Sequence, residues 1–383
     1  MEDKRKAVGF GALFSVASVW FGSHAGGGFA TGNQTTQYYV QYGWFAPLLA
    51  LLAMAILACV IRESIIMYRN HGFTNYKEMF EEMWAPYCKL EILYEIYMFL
   101  IVFVGVAVSI SGAATLFTNF GVPYGIAIIV VGAVLFLLTI FGSKLVARAS
   151  TVMSIIILVC SFTIFIIGII TKGDTISTIF ATKTIEGVNN NFGTGLWKAI
   201  IYAGYQSVCI PALCSCSNVL KKRSDATKAM VLAFIMNGVA LALSAVMLMG
   251  WYGEFMAAEQ LALPTLYVCN IIGNPVLYYC YSISLFLCFV STGVTCTFGL
   301  IPRFENMKAL SKIKSNKGKS GVISAVVIVI SMILSLTGLV NLVKYGYAYC
   351  GYIAIVAITI PMLTIGHMKN KKFAKEHPDK EWD

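Results

Sequence analysis

The stretch SHAGGGFATGN, Ser23 to Asn33, lies in the middle of an apolar run covering residues 8–40. Glycine costs a helix interior about 1 kcal/mol per residue relative to alanine. Gly26, Gly27 and Gly28 in succession, with Gly32 one turn on, predict that a helix crossing this run unwinds near its midpoint. A second reading takes the pairs Gly22/Gly26 and Gly28/Gly32, each four apart, as small-residue faces for close helix packing. A matching break elsewhere in the chain favours the first.

Composition makes the run a membrane span. Of 383 residues, 58% are hydrophobic and 12% charged, and mean hydropathy is +0.77. Soluble chains carry about 25% charge, so a soluble globule is excluded. A bilayer crossing takes about 20 apolar residues, and ten such runs occur, near 8–40, 44–68, 90–117, 122–141, 146–170, 194–219, 227–252, 275–301, 320–340 and 343–367. They are apolar all round rather than alternating, which predicts helices and not barrel strands. The fold class expected is an all-α polytopic membrane protein.

The net charge of +10 would suggest nucleic acid in a soluble chain, but its distribution points to membrane topology. With the N-terminus cytoplasmic, 24 of the 28 Lys and Arg fall in inside segments, leaving Lys172, Lys183, Lys198 and Lys344 outside. That is the positive-inside pattern. Both termini are expected in the cytoplasm and the protein in the cell membrane, in contact with lipid. Glu2 and Asp3 spoil the basic start of a secretory signal, so none is expected. Eleven cysteines lie scattered among the spans without a C-x-x-C pair; helix packing is the expected role even for Cys209, Cys214 and Cys216.

The sixth run contains IIYAGYQSVCIPALCSC, where Gly204 and Pro211 bracket polar residues. Proline lacks an N–H and clashes with the carbonyl four residues back, which predicts a second break, although a membrane proline can also be a simple kink. Breaks in the first and sixth of ten spans are the pattern of two five-helix inverted repeats with cargo held at the midplane. The division expected is 1–171 and 194–383, joined by an outer connection over 172–193. Five is odd, so the halves enter from opposite faces.

A broken helix bares N–H groups at one side and carbonyls at the other. The amides of Gly26, Gly27 and Gly28 can take a carboxylate, and carbonyls from Tyr205 through Ser207 and Val208, with Cys209 beside them, can take an ammonium. Charged residues within the spans lie only near span ends, so a small zwitterion suits the site better than a highly charged cargo. Trp20 and Tyr205 can cover it or simply pack. In the eighth span Ser291, Thr292 and Thr295 sit at spacings that share a helix face, where hydroxyls can face Na+ or bond the carbonyl four residues back. His24 can carry a proton or bond cargo, or rest neutral against a freed carbonyl. Tyr94 and Tyr97 read as interfacial anchors. Residues 72–87 read as an interfacial helix with Phe73, Tyr76, Phe80 and Trp84 on one face, 254–274 as an outer segment folded back into the mouth, and 303–319 as a solvated inner loop.

These residues resemble the LeuT-fold transporters of the amino acid–polyamine–organocation superfamily, nearest to the YkvI-type amino acid permeases. GGGF at 26–29 is similar to the G-x-G-x-F element of amino acid antiporters, and Arg62-Glu63 before Tyr68 to the glutamate ending helix 2 of sodium symporters. The resemblance implies a 5+5 inverted repeat with helices 1 and 6 discontinuous, and alternating access by a bundle of helices 1, 2, 6 and 7. It also implies a Na+ site from carbonyls matching Gly22 and Ala25 with Ser291, Thr292 and Thr295; the lysine that replaces this ion in proton-coupled relatives has no counterpart in helix 5. Expected, then, is a sodium-coupled symporter for a small amino acid or amine without other cofactor. A proton-coupled transporter or exchanger is the alternative; a channel or a transport-dead sensor stands further off. Neither G-x-S-x-G nor H-E-x-x-H occurs, so an enzyme is not expected.

Overall fold

In the computed structural model, residues 8–24, 26–141, 143–304, 307, 310–311, 313, 315–378 and 382 are described. Among them regular structure is helical, apart from one isolated bridge between Ile185 and Val188. Eight helices are long and apolar enough to cross a membrane, and a bent pair makes a ninth. The first expected span is not one helix. It is divided into α1 (Phe10–His24), the single turn α2 (Gly27–Ala30) and α3 (Asn33–Tyr38). Gly32 adopts φ 77° at the start of α3, a conformation that a β-carbon disfavours.

The long helices follow in order: α4 (Ala46–His71), the short α5 (Tyr76–Trp84), α6 (Ile92–Thr118), α7 (Tyr124–Phe141) and α8 (Ser143–Thr171). Helix α9 (Gly173–Thr182) turns away from α8 by 72°. Next come α10 (Phe192–Tyr205), a 3-10 turn over Gln206–Cys209, and α11 (Ile210–Cys216), which together make a single apolar span of 28 residues, Phe192–Val219. The remainder is α12 (Arg223–Gly250), α13 (Tyr252–Ala257), α14 (Pro264–Ile272), α15 (Pro275–Phe304), α16 (Asn316–Ser335) and a last span, Leu339–Glu376. That span winds partly as π-helix, over Leu342–Tyr347, Ile355–Thr359 and Met362–Gly366.

Burial sorts these helices by position. Helix α12 packs along α4, and α15 packs against both α6 and α8. Their inward faces carry small residues such as Ala50, Ala53, Ala107, Ala113, Ala233 and Ala240, all buried, which lets helix axes approach closely. Helices α7 and α16 lie at the edge, exposing Ile126, Ile129, Leu137, Val326, Val329 and Ile333. No water-filled surface tolerates such a row; lipid does.

One face of the bundle is basic. Arg69 reaches Asn218 and Leu220, Arg223 reaches Asn70, and Lys369 reaches Glu82. Glu63 is buried there, paired with Arg62 and within 3.2 Å of His367, and it accepts from Asn370 at 2.8 Å. Helix α5 is capped by Asn75 and buries Met79, Phe80 and Met83, stacking Phe80 on Tyr94 at 3.8 Å. Tyr94 and Tyr97 are both fully buried. This corrects their reading as interfacial anchors: Tyr76 and Phe80 cover Tyr94, and Tyr97 turns inward to the Tyr205 carbonyl.

Candidate functional site

The interruption in the first span is held open by side chains from distant segments. Ala30 and Thr31 present carbonyls that no helix ladder takes up. The Tyr281 hydroxyl donates to Ala30 O, and the Thr265 amide donates to Thr31 O at 3.0 Å. Asn33 Nδ2 donates to Leu261 O at 2.6 Å. The 254–274 segment thus folds back onto the break through α14, and Thr265 there, with Tyr281 beyond it, occupies the carbonyls on that side.

Directly against the break lies a cavity of about 160 Å³, bounded by Gly26, Gly28 and Phe29, by Gly105 and Ser109 of α6, by Tyr205, Gln206 and Val208, and by Phe289 and Thr292 of α15. Drug-sized pockets run to about 300–1,000 Å³, so this one suits a smaller molecule. Among the described residues its lining holds no Asp, Glu, Lys or Arg, and one histidine, His24. Away from the basic face it is closed: every residue from Phe29 to Val40 is buried, and the rings of Tyr38, Tyr39, Tyr202 and Tyr205 meet at centroid distances of 4.9–5.5 Å. Tyr347 of the last span stacks flat on Tyr205 at 4.7 Å.

Toward the basic face a vestibule of about 320 Å³ continues from it, bounded by Gly22, Cys209, Ala212, Ser291 and Thr295. Ser23, Gly26, Val208, Thr292 and Cys296 border both spaces. The path is open on one side of the break and shut on the other.

The expected site residues divide accordingly. Gly28 and Tyr205 border the cavity alone, Gly22, Cys209, Ser291 and Thr295 border the vestibule alone, and Gly26, Val208 and Thr292 border both. Gly27 sits in the α2 turn, and Ala25 lies outside the described residues. Trp20 is fully buried within the core and borders neither space. Ser207 is likewise buried, its hydroxyl on Ala203 O at 3.4 Å. His24 bonds the Tyr202 hydroxyl at 2.7 Å rather than a freed carbonyl.

The sixth span corrects a further expectation. Instead of an unwound gap it tightens into one 3-10 turn, and the carbonyls of Tyr205, Gln206 and Ser207 each accept a bond. Tyr97 donates to Tyr205 O at 2.6 Å, the Cys209 thiol to Gln206 O at 3.0 Å, and the Ile210 amide to Ser207 O. They are not bare acceptors for an ammonium. Removing the Tyr97 hydroxyl as Tyr97→Phe should cost about 1 kcal/mol, read as a lower unfolding temperature and faster amide exchange over 206–210. Unaltered exchange would show that this bond does not hold the turn.

Residues that sequence reasoning left out complete the site: Gln34, Gln206, Tyr202, Tyr347 and Ser109. The Ser109 hydroxyl is buried at the cavity without a partner. Its spacing from Gly105 and Gly112 marks one small-residue face of α6, the signal available beforehand.

No protein-family model and no curated protein matches this sequence. Solved structures do match in shape. MhsT in complex with L-phenylalanine gives a TM-score of 0.60 at 13% identity, covering 97% of this chain and 99% of that one. A Na+-coupled sialic acid symporter in a substrate-bound outward-open state gives 0.52 at 12%, covering 94% and 96%. The fold is that of LeuT-type transporters. The manganese transporter of Eremococcus coleocola also matches, at 0.53 and 14%, covering 92% of this chain and 78% of that one. Within the LeuT fold, the glycine break and the cavity against it occupy the midst of the helix bundle, walled by α6 and α15.

Proposed function

We propose that this chain is a secondary active transporter that carries a small amino acid or related zwitterion by alternating access, with Na+ as coupling ion. The observation that carries the reading is the small cavity at the glycine break, closed by aromatic rings on one side and continued by a vestibule on the other. On the positive-inside assignment that vestibule faces the cytoplasm, and the conformation is the inward-facing one. The first, second, sixth and seventh helices of the two inverted repeats, 1–171 and 194–383, would rock against the rest to exchange the open side. We place the chain beside the YkvI-type permeases on its span layout, its glycine-rich first break and the hydroxyl cluster of the eighth span.

A cavity without charged side chains favours a cargo whose own charges cancel. Unpaired charge buried there would cost several kcal/mol. The same argument disfavours a free divalent metal ion, which takes carboxylate and imidazole ligands.

The residues present fit Na+. Ser291, Thr292 and Thr295 offer hydroxyl oxygens on one vestibule wall, opposite Gly22, whose carbonyl lies in the final turn of α1, where helix carbonyls lack ladder partners. Thr292 donates to Cys288 O at 2.9 Å, which leaves its lone pairs free to accept a cation. Each Na+ entering down a membrane potential supplies about 2.3 kcal/mol per 100 mV, sufficient to concentrate cargo without ATP.

Uptake of the standard L-amino acids into proteoliposomes, with and without a Na+ gradient, tests this reading. Saturable, Na+-driven accumulation of at least one of them is expected, and its absence for all removes the proposal. Proton-driven uptake indifferent to Na+ would select the proton-coupled alternative. Thr295 is exposed to the vestibule, so Thr295→Ala should leave the unfolding temperature unchanged. Loss of one ligand to a charged group should raise the half-saturating Na+ concentration about tenfold; an unshifted Na+ curve would remove Thr295 from the ion site.

A further inference from the structure

This inference rests on the transport reading and deepens it by assigning the group that recognises cargo. The sixth-span carbonyls of Tyr205, Gln206 and Ser207 each already accept a bond from within the protein, so an ammonium in the cavity is better met by a side-chain acceptor. The described lining has no carboxylate. It does have two side-chain amides, Gln34 and Gln206, and both converge on one hydroxyl.

That hydroxyl belongs to Tyr202. His24 Nε2 lies 2.7 Å from it, Gln34 Oε1 3.4 Å, and Gln206 Nε2 donates to it at 3.4 Å. His24 ends α1 and Gln34 lies in α3, so the hydroxyl ties together the two sides of the glycine break and joins both to α10. A phenol has one proton to give and two lone pairs. Gln206 occupies one lone pair. His24 Nε2 can donate to the other, which sends the phenol proton to Gln34 Oε1. Gln34 Oε1 then keeps its second lone pair for whatever enters the cavity.

Gln34 is also fixed from below. A β-carbon on Gly28 would stand 2.2 Å from Gln34 Nε2, so the amide lies directly over the Gly28 backbone and fits there because residue 28 has no side chain. The glycine run thus admits a glutamine as well as unwinding a helix.

We infer that Gln34, with Gln206 beside it, is the acceptor for the cargo's amino group, and that Tyr202 is the positioning residue that holds both amides at the break. The contact does not depend on the main-chain carbonyls of Tyr205, Gln206 and Ser207, which already accept bonds. Cargo blocked at nitrogen is rejected, since an acylated amine is a weaker donor with added bulk in a cavity of about 160 Å³.

The test measures thermal stabilisation of the purified full chain by the standard L-amino acids and by their N-acetyl derivatives, in Na+. Wild type is expected to be stabilised by at least one free amino acid and by none of the acetylated forms. Gln34→Leu should weaken that binding tenfold or more, Gln34→Glu should retain it because the acceptor oxygen remains, and Tyr202→Phe should weaken it while keeping the ring packing. Binding that survives unchanged in both Gln34→Leu and Tyr202→Phe overturns the inference and leaves the transport reading standing. Should Gln34→Leu fail to fold, unchanged affinity in Tyr202→Phe overturns it alone. If no amino acid stabilises wild type, both the amino acid reading and this inference fall.

Discussion

Replacing Gly351 with leucine should remove most of the folded protein. Gly351 on the last span and Gly204 on α10 bring two helix backbones into contact: a β-carbon at 351 would stand 2.6 Å from Ile201 O, and one at 204 would stand 2.8 Å from Gly351 O. Forcing a side chain into a packed core costs about 1–3 kcal/mol when neighbouring side chains can move. Here the neighbour is main chain inside a helix and cannot swing aside, so the expected cost is roughly 3 kcal/mol or more. Gly253 is the matched control, because nothing lies within 4 Å of a β-carbon built there. Thermal unfolding in detergent should show Gly253→Ala near wild type and Gly351→Leu with a far lower midpoint or no folded fraction. Equal midpoints would mean that the two helices are not this close. The contact matters beyond stability, since the last span carries Tyr347 and holds it against Tyr205 in the cavity wall.

What the sequence disclosed of this architecture followed from local chemistry. Apolar length marked the spans, and three consecutive glycines marked the break between α1 and α3, because both effects are properties of a short window of chain. The sixth span shows where that reasoning stops. Pro211 does interrupt the α-helical ladder, but the Ser207 carbonyl it deprives takes the Ile210 amide in a 3-10 turn, and the neighbouring Tyr205 carbonyl is met by Tyr97, 108 residues away. No window around residue 206 contains that information. Tyr94 and Tyr97 misled for the same reason: at the end of an apolar run they resemble headgroup anchors until Tyr76 and Phe80 are seen to cover the one and the Tyr205 carbonyl to draw the other inward. Gln34 escaped notice because its partner, the Tyr202 hydroxyl, lies 168 residues away.

The structure also gives the glycines unequal tasks. Gly32 supplies a left-handed φ and Gly28 makes room for Gln34, whereas Gly26 stands where the cavity opens into the vestibule. An added β-carbon at Gly26 meets only Thr292 Oγ1, at 3.6 Å, an ordinary van der Waals separation. Gly26→Ala should therefore fold and transport nearly as wild type does. Gly26→Leu should fold equally well, because the space its extra carbons enter is the passage itself and not the core. Cargo must then displace that side chain or pack against it, at about 1–3 kcal/mol, which lowers affinity by roughly ten- to hundredfold and blocks release through the neck. Uptake should fall at least as far while the unfolding temperature holds. Full uptake by Gly26→Leu would mean that cargo does not pass between α2 and α15. The path through this molecule would then have to be sought away from the break that organises its fold.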